Sequence, residues 1–216
     1  MKPLFATYGN DISLIINAAA QPSHDWSANA PLLDYAINAM GTINLLELTR
    51  QYCPKAVFIQ VSTNKVYGDR PNRLRIEEQE TRWELPYSHP YYKGIDESLP
   101  VDQALHSPFG ASKLSGDLMA QEYGLYYGLR TNVFRPGCIT GSAHSGAELH
   151  GFLSYLVFCA KHDKPYTVYG YQGKQVRDNI HAFDLAKAFH ECYKNPGKGE
   201  VFNIGGGRDN SCSVLE

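Results

Sequence analysis

The sequence predicts an α/β fold built on a doubly wound parallel sheet, and three observations carry that prediction. Short apolar runs of strand length alternate with longer stretches in which apolar residues recur at helical spacing. The strand-like runs are nearly continuous rather than alternating, as expected of strands covered on both faces. Small and hydroxyl-bearing residues follow these runs directly, at the carboxyl ends where ligands of such sheets bind.

In chain order, "DISLIINAAA" (11–20) reads as a buried strand that runs into an alanine turn. "PLLDYAINAMGTINLLELTRQYC" (31–53) is predicted as a helix, with Ala36, Met40, Ile43 and Leu46 on one face and Pro31 in its first turn. "KAVFIQVSTN" (55–64) is the next strand. Residues 69–106 break the rhythm: they are polar and aromatic, have no clear period, and include Trp83, Tyr87, Tyr91 and Tyr92. A loop of that length inside a compact domain is expected to be functional, here a lid or substrate wall. The helix "KLSGDLMAQEYGLYYGL" is predicted to open at Lys113 and to carry Leu114, Leu118 and Leu125 on its apolar side. "LRTNVFRPGCITG" is strand then loop, "YTVYG" a short strand, "FDLAKAFHECYK" a helix with Leu185, Phe189 and Cys192 on one side, and "EVFNIGGG" a last strand ending in a glycine turn.

The 216 residues are 43% hydrophobic and 19% charged, enough for a buried core and unlike a disordered polymer. A net charge of -2 gives no electrostatic case for nucleic acid or an anionic membrane. No apolar run is long enough to span a bilayer, and "MKPLFATYGNDIS" has no apolar signal core. Five scattered cysteines without a C-x-x-C pair fit a reduced, cytoplasmic protein. His144, Glu148 and His150 lie close together in "HSGAELH" but without a recognised ligand spacing, so no metal is expected.

Several residues stand where chemistry is expected. Ser62 and Thr63 would put hydroxyls at a strand's carboxyl end, either to bind a sugar hydroxyl or as strand-end caps. Lys113 could hydrogen-bond a nicotinamide ribose and lower the pKa of a nearby phenol, or be a solvated first-turn lysine.

The motifs "STNKVYGD", "SPFGASK", "GTINLLE", "GKQVRD" and "NIGGG", in this order, resemble the extended short-chain dehydrogenase/reductase superfamily, the nucleotide-sugar epimerases and dehydratases. The resemblance spans essentially the whole chain. It implies a Rossmann-like sheet, a tightly held NAD, a nucleotide-sugar substrate and a homo-oligomer in the full-length form. "STNKVYGD", "YKGIDES", "HSPFGASK" and "GKQVRDNIH" match more narrowly and imply a CDP-sugar inverted at C2 through a transient 2-ketone. Another epimerase, a dehydratase or a decarboxylase of the superfamily is the alternative; Asn64 and Lys65 stand where its dehydratases usually carry acidic residues.

By motif position, the resemblance puts Thr63, with Ser62 beside it, in the hydroxyl role and Lys113 in the lysine role. Ala18, Ala19, Ala20 and Gln21 match the segment lining the cofactor, although tight strand–helix packing also explains the alanines. Asn38 matches an asparagine that braces the neighbouring strands, and Phe134 falls at a cofactor-side strand end. Asn64, Gly137 and Cys138 lie on the expected substrate path, Cys138 as a small apolar filler. Arg177 matches an arginine gripping the substrate diphosphate through bidentate bonds, or else pairs with Asp178 or Asp184. Asn203 and Gly205 read as structural.

Two departures accompany these matches. Phe109 occupies the position of the tyrosine that normally moves the proton, which leaves Tyr91, Tyr92 and Cys138 as candidates for that task. The glycine-rich dinucleotide fingerprint is also missing: no G-x-x-G-x-x-G precedes Ala18, and "NIGGGRDN" follows the last strand without a helix. The chain is therefore expected to begin near the fourth strand of the family's sheet and to stop short of its full substrate lobe. Residues 1–140 would be the remaining dinucleotide-binding half and 141–216 mainly a partial substrate-binding region. A non-catalytic remnant or sugar-nucleotide-binding module is the expectation from a different class.

Overall fold

A computed structural model describes residues 1–144, 146–148 and 151–216. The elements in chain order begin with α1 (Lys2–Tyr8), β1 (Leu14–Asn17), α2 (His24–Asn29) and α3 (Pro31–Tyr35). A π turn (Ala36–Met40) joins α3 to α4 (Gly41–Tyr52), followed by β2 (Val57–Val61), β3 (Glu77–Glu78) and β4 (Trp83–Glu84). Then come α5 (Ser107–Leu125), β5 (Arg130–Pro136), β6 (Cys138–Thr140) and α6 (Phe152–Lys161). The last are β7 (Arg177–His181), α7 (Ala182–Lys194), β8 (Glu200–Ile204) and β9 (Ser211–Cys212).

The main sheet has the order β1-β2-β5-β8, with all pairs parallel. Strand periodicity sends Phe58 and Val133 to one face, where they meet Leu46 of α4 and Ala120 and Tyr123 of α5. Val57, Ile59 and Phe134 face the other way, against Ala188, Phe189 and Cys192 of α7. Helices on both faces of a parallel sheet are the Rossmann-like arrangement. A smaller sheet, β6-β7-β9, stands beyond the carboxyl end of β5, with β6 and β7 parallel and β9 antiparallel.

Four local expectations are corrected. The 31–52 helix buries Asp34, Asn38, Ala39, Thr42, Leu46 and Thr49, whereas Ala36 and Met40 are exposed. In α5, Leu118 and Leu125 face solvent, and the buried side is Phe109, Gly110, Ser112, Lys113, Gly116, Asp117, Ala120, Tyr123 and Gly124. The two helices meet through small and polar side chains, which hydrophobic periodicity does not register. Helix α5 also begins six residues before Lys113, with Pro108 in its first turn. Residues 166–170 form no strand, and α1, α2 and α6 add helices that the apolar pattern does not announce.

The 69–106 segment is ordered by packing. Tyr67 and Leu99 form a buried cluster with Val66, joined by Leu74, Tyr91, Ile95 and Val101. Trp83 N–H donates to Lys174 O at 3.0 Å and ties the β3–β4 hairpin to the chain before β7. Among the described residues no helix is long and apolar enough to cross a membrane.

Candidate functional site

The carboxyl ends of β1 and β2 and the first turns of α5 converge. After β1, Ala18, Ala19 and Ala20 are exposed and form an open shelf without long side chains. Gln21 turns inward and is engaged by the scaffold. Its backbone N–H donates to Asn38 Oδ1 at 2.9 Å, and its Nε2 donates to Asp34 Oδ1 at 2.8 Å. Asn38 Nδ2 donates to Gln21 O at 3.2 Å, to Asp34 Oδ1 at 3.2 Å and to Ser112 Oγ at 3.0 Å. Ser112 Oγ in turn donates to Asp34 Oδ2. Asn38 thus links the turn after β1 to α5, with its polar atoms partnered as burial requires.

At the end of β2, the two hydroxyls separate. Ser62 Oγ is buried and donates to Asp117 Oδ2 at 2.5 Å, and Ser62 N–H donates to Phe134 O at 2.7 Å. Thr63 is half-buried and caps the turn Asn64–Tyr67 by accepting from Lys65 N–H at 3.2 Å. Asn64 is exposed. Asp117 also takes both arms of Arg135, Nε and Nη2, each at 2.9 Å. Arg135 Nη1 donates to the Tyr67 hydroxyl at 2.9 Å, which donates to Asn203 Oδ1 at 2.8 Å. A buried chain of partners therefore runs from Ser62 beneath the strand ends to β8.

Lys113 lies over this network. Its Nζ donates to Val61 O at 2.7 Å. Burial pushes the amine down to about 8, against the pull of Asp117 and Asp34. Phe109, one helical turn earlier, is buried, and its N–H donates to Ser27 Oγ at 3.2 Å. No phenol stands there. Tyr91 OH lies 3.0 Å from Ser98 Oγ within the 69–106 segment, and the Tyr92 ring sits 4.1 Å under the Arg208 guanidinium. The ring packed on Phe109 is that of His24.

A second group gathers at β6 and β7. Arg177 donates through Nη1 to Val176 O at 3.1 Å and through Nη2 to Gln175 Oε1 at 2.7 Å. It has no carboxylate partner among the described residues; Asp184 pairs with Lys187 instead. Burial and the Arg177 charge lower the pKa of Lys65, so two cations share this region. Cys138 lies with them, its thiol pushed up by burial despite their charges. Asp178 is wedged between Gly137 and Gly205: a Cβ at Gly137 would come within 2.0 Å of its Oδ1, and one at Gly205 within 1.7 Å of its Oδ2. Gly137 thus serves close packing.

Phe134 is a buried core residue, its ring edge-on to Phe189 and tilted against Phe202, so it packs among side chains and not toward the cofactor side. His150 lies outside the described residues. Among the described ones, His144 Nδ1 is 2.9 Å from Ser154 Oγ, Glu148 accepts from Tyr169 OH at 2.8 Å, and no metal-holding cluster occurs. The sequence reading missed Asp117, Arg135 and His24, and gave Lys65 no part in binding phosphate. Asp117 was findable, since it follows Lys113 by one helical turn on the same face.

Comparison with known proteins agrees with this architecture. The chain is 39% identical over 207 residues to the CDP-paratose 2-epimerase of Salmonella typhi, covering 92% of this chain and 59% of that protein. It is 30% identical over 211 residues to a dTDP-glucose 4,6-dehydratase of Salmonella typhimurium, covering 54% of it. The structure of dTDP-glucose 4,6-dehydratase from Bacillus anthracis in complex with NAD superposes with a TM-score of 0.74 at 28% identity, covering 99% of this chain and 57% of that one. The chain therefore spans somewhat more than half the length of these relatives. Residues 4–205 match the profile of the NAD dependent epimerase/dehydratase family, and the chain belongs to that family.

Proposed function

We propose that this chain serves an NAD-dependent nucleotide-sugar epimerase that inverts C2 of CDP-paratose or CDP-tyvelose, working in a homo-oligomer. The observation that carries the reading is the 39% identity over 207 residues to a CDP-paratose 2-epimerase. Asn64 and Lys65 support it, because the carboxylates that a dehydratase would need are absent from "STNK".

The residues present suit NAD at the carboxyl edge. The exposed Ala18–Ala20 shelf leaves room for a flat ring, and the Lys113 ammonium keeps two donors beyond the one given to Val61 O. NAD, when bound, supplies a reversible hydride acceptor, so inversion needs no net redox. In this reading Lys113 holds the ribose, and its charge stabilises negative charge developing nearby. Thr63 offers its half-buried hydroxyl to the sugar, while Ser62 fixes the strand end from beneath. Arg177, lacking a carboxylate, takes the diphosphate, with the Lys65 charge beside it. Residues 141–216 supply this phosphate side, and the packed 69–106 segment walls the sugar.

A second reading, a nucleotide-sugar-binding module without turnover, is favoured by Phe109. One experiment separates them. The purified chain is given NAD and CDP-paratose, and the paratose-to-tyvelose ratio is followed by NMR. Interconversion supports the epimerase. Bound nucleotide sugar with no NAD held and a frozen ratio support the module, and there Phe109→Tyr should leave the ratio frozen. Turnover of a different nucleotide sugar alone would overturn the CDP assignment.

A further inference from the structure

This inference rests on the epimerase reading and concerns the proton that Phe109 cannot carry. Three features meet at the Phe109 ring. The His24 imidazole packs edge-on against it, with centroids 4.9 Å apart and planes at 67°. His24 Nδ1 lies 2.9 Å from Ser107 Oγ, at the first residue of the helix that carries Phe109 and Lys113. The ring opens α2, a short step after the Ala18–Gln21 segment, and is exposed, and its Nε2 has no hydrogen-bond partner among the described residues.

We propose that His24 is the proton-transferring residue of this site, performing the task that a phenol at position 109 would otherwise perform. Ser107 sets the tautomer. When Nδ1–H donates to Ser107 Oγ, the Nε2 lone pair is left as a base facing outward. With NAD bound as the hydride acceptor for C2–H, the sugar O–H bond would break and its proton would pass to Nε2. The C2–O bond becomes a ketone and His24 an imidazolium. When hydride returns to the opposite face, the same proton goes back to oxygen, and His24 is neutral again. Nothing is consumed.

The charges around the ring suit this cycle. Partial desolvation of the ring and the Lys65 ammonium lower the His24 pKa, while Asp25 on its own helix and Asp34 on α3 raise it. Ser107 and Phe109 of α5 add no charge. The balance favours the neutral ring, the form that accepts a proton. Two carboxylates are near enough to stabilise the transient imidazolium.

The test compares wild type, His24→Gln, Phe109→Tyr and the double variant, each supplied with NAD and CDP-paratose. Glutamine at position 24 can still hydrogen-bond Ser107, so folding is retained. We expect His24→Gln to lower kcat by about 10²–10⁴-fold with little change in KM and to abolish the acid limb of the pH profile. Adding Phe109→Tyr to that variant should restore about tenfold or more. A second readout does not need turnover: the His24 ring signals in ¹⁵N NMR should shift with CDP-paratose and stay still with CDP alone. Wild-type interconversion with an unchanged His24→Gln profile overturns this assignment and leaves the epimerase reading intact. Turnover of another nucleotide sugar that depends on His24 sustains the assignment and overturns the CDP reading. Failure of every nucleotide sugar to bind overturns both.

Discussion

Replacing Lys113 by methionine removes an amine that burial has already pushed down to about 8 from an ordinary 10.5. Only 5% of the residue is exposed, so the charge is genuinely desolvated. At 1.36 kcal/mol per pH unit, the gap corresponds to about 3 kcal/mol. The direction follows from proton counting. Below about 8, folded and unfolded chains both hold the proton, and the folded state bears the whole desolvation cost. Between about 8 and 10.5, the unfolded chain holds a proton that the folded chain has released, so stability climbs with pH. The variant lacks this climb. It also leaves Val61 O without its 2.7 Å donor, a loss of about 1–3 kcal/mol. At neutral pH the two effects nearly cancel. Near pH 10.5 the wild type should lead by about 2 kcal/mol. Urea unfolding of both proteins across this pH range, read by tryptophan fluorescence, measures the difference directly, because other titrations are common to both. A stability difference independent of pH would refute the reasoning and mean that the amine is solvated.

Other outcomes follow from single contacts. Asp117→Asn strands the Arg135 guanidinium, 5% exposed, without its anion and should cost about 3–5 kcal/mol in urea unfolding, only part of it recovered in Asp117→Leu/Arg135→Met because the buried Ser62 hydroxyl still loses its acceptor. A loss of surface-pair size would show that water reaches the pair. Arg177→Ala breaks no ion pair and should change stability by less than about 1 kcal/mol. Its affinity for CDP by calorimetry should fall about 10–100-fold, and an unchanged affinity would remove Arg177 from the nucleotide's path. Gly205→Ala puts a methyl 1.7 Å from Asp178 Oδ2 and should destabilise by about 1–3 kcal/mol. Adding Asp178→Ala should relieve the clash in a thermal melt; no relief would place the strain elsewhere.

The sheet was legible because its two central strands are covered on both faces, which turns "AVFIQV" and "TNVF" into apolar runs that no other element explains. The strand ends were legible for the same reason: wherever the run stops, the edge begins. The helix faces were not. Leu118 and Leu125 look like core residues and are exposed, because α5 turns Gly116, Ala120 and Gly124 inward at four-residue spacing. That small-residue stripe was the available signal. Ser62 and Thr63 were indistinguishable in sequence. Only the fold shows Asp117 capturing one hydroxyl and leaving the other at the edge. His24 was missed because its partner is 85 residues away in the chain and is recognised by a ring contact, not by spacing.

The polar seam formed by Asp34, Asn38, Thr42 and Ser112 has a thermal consequence. Apolar area exposed on unfolding raises heat capacity, whereas polar area lowers it, and apolar contacts weaken on cooling. The seam that holds the turn after β1 to α5 is built from hydrogen bonds, whereas α7 grips the sheet through Ala188, Phe189 and Cys192. Cooling should therefore weaken the apolar contacts of both helix layers with the sheet before it weakens this seam. Both helix layers grip the sheet through apolar side chains, so the polar seam between the helices is the joint least sensitive to cold.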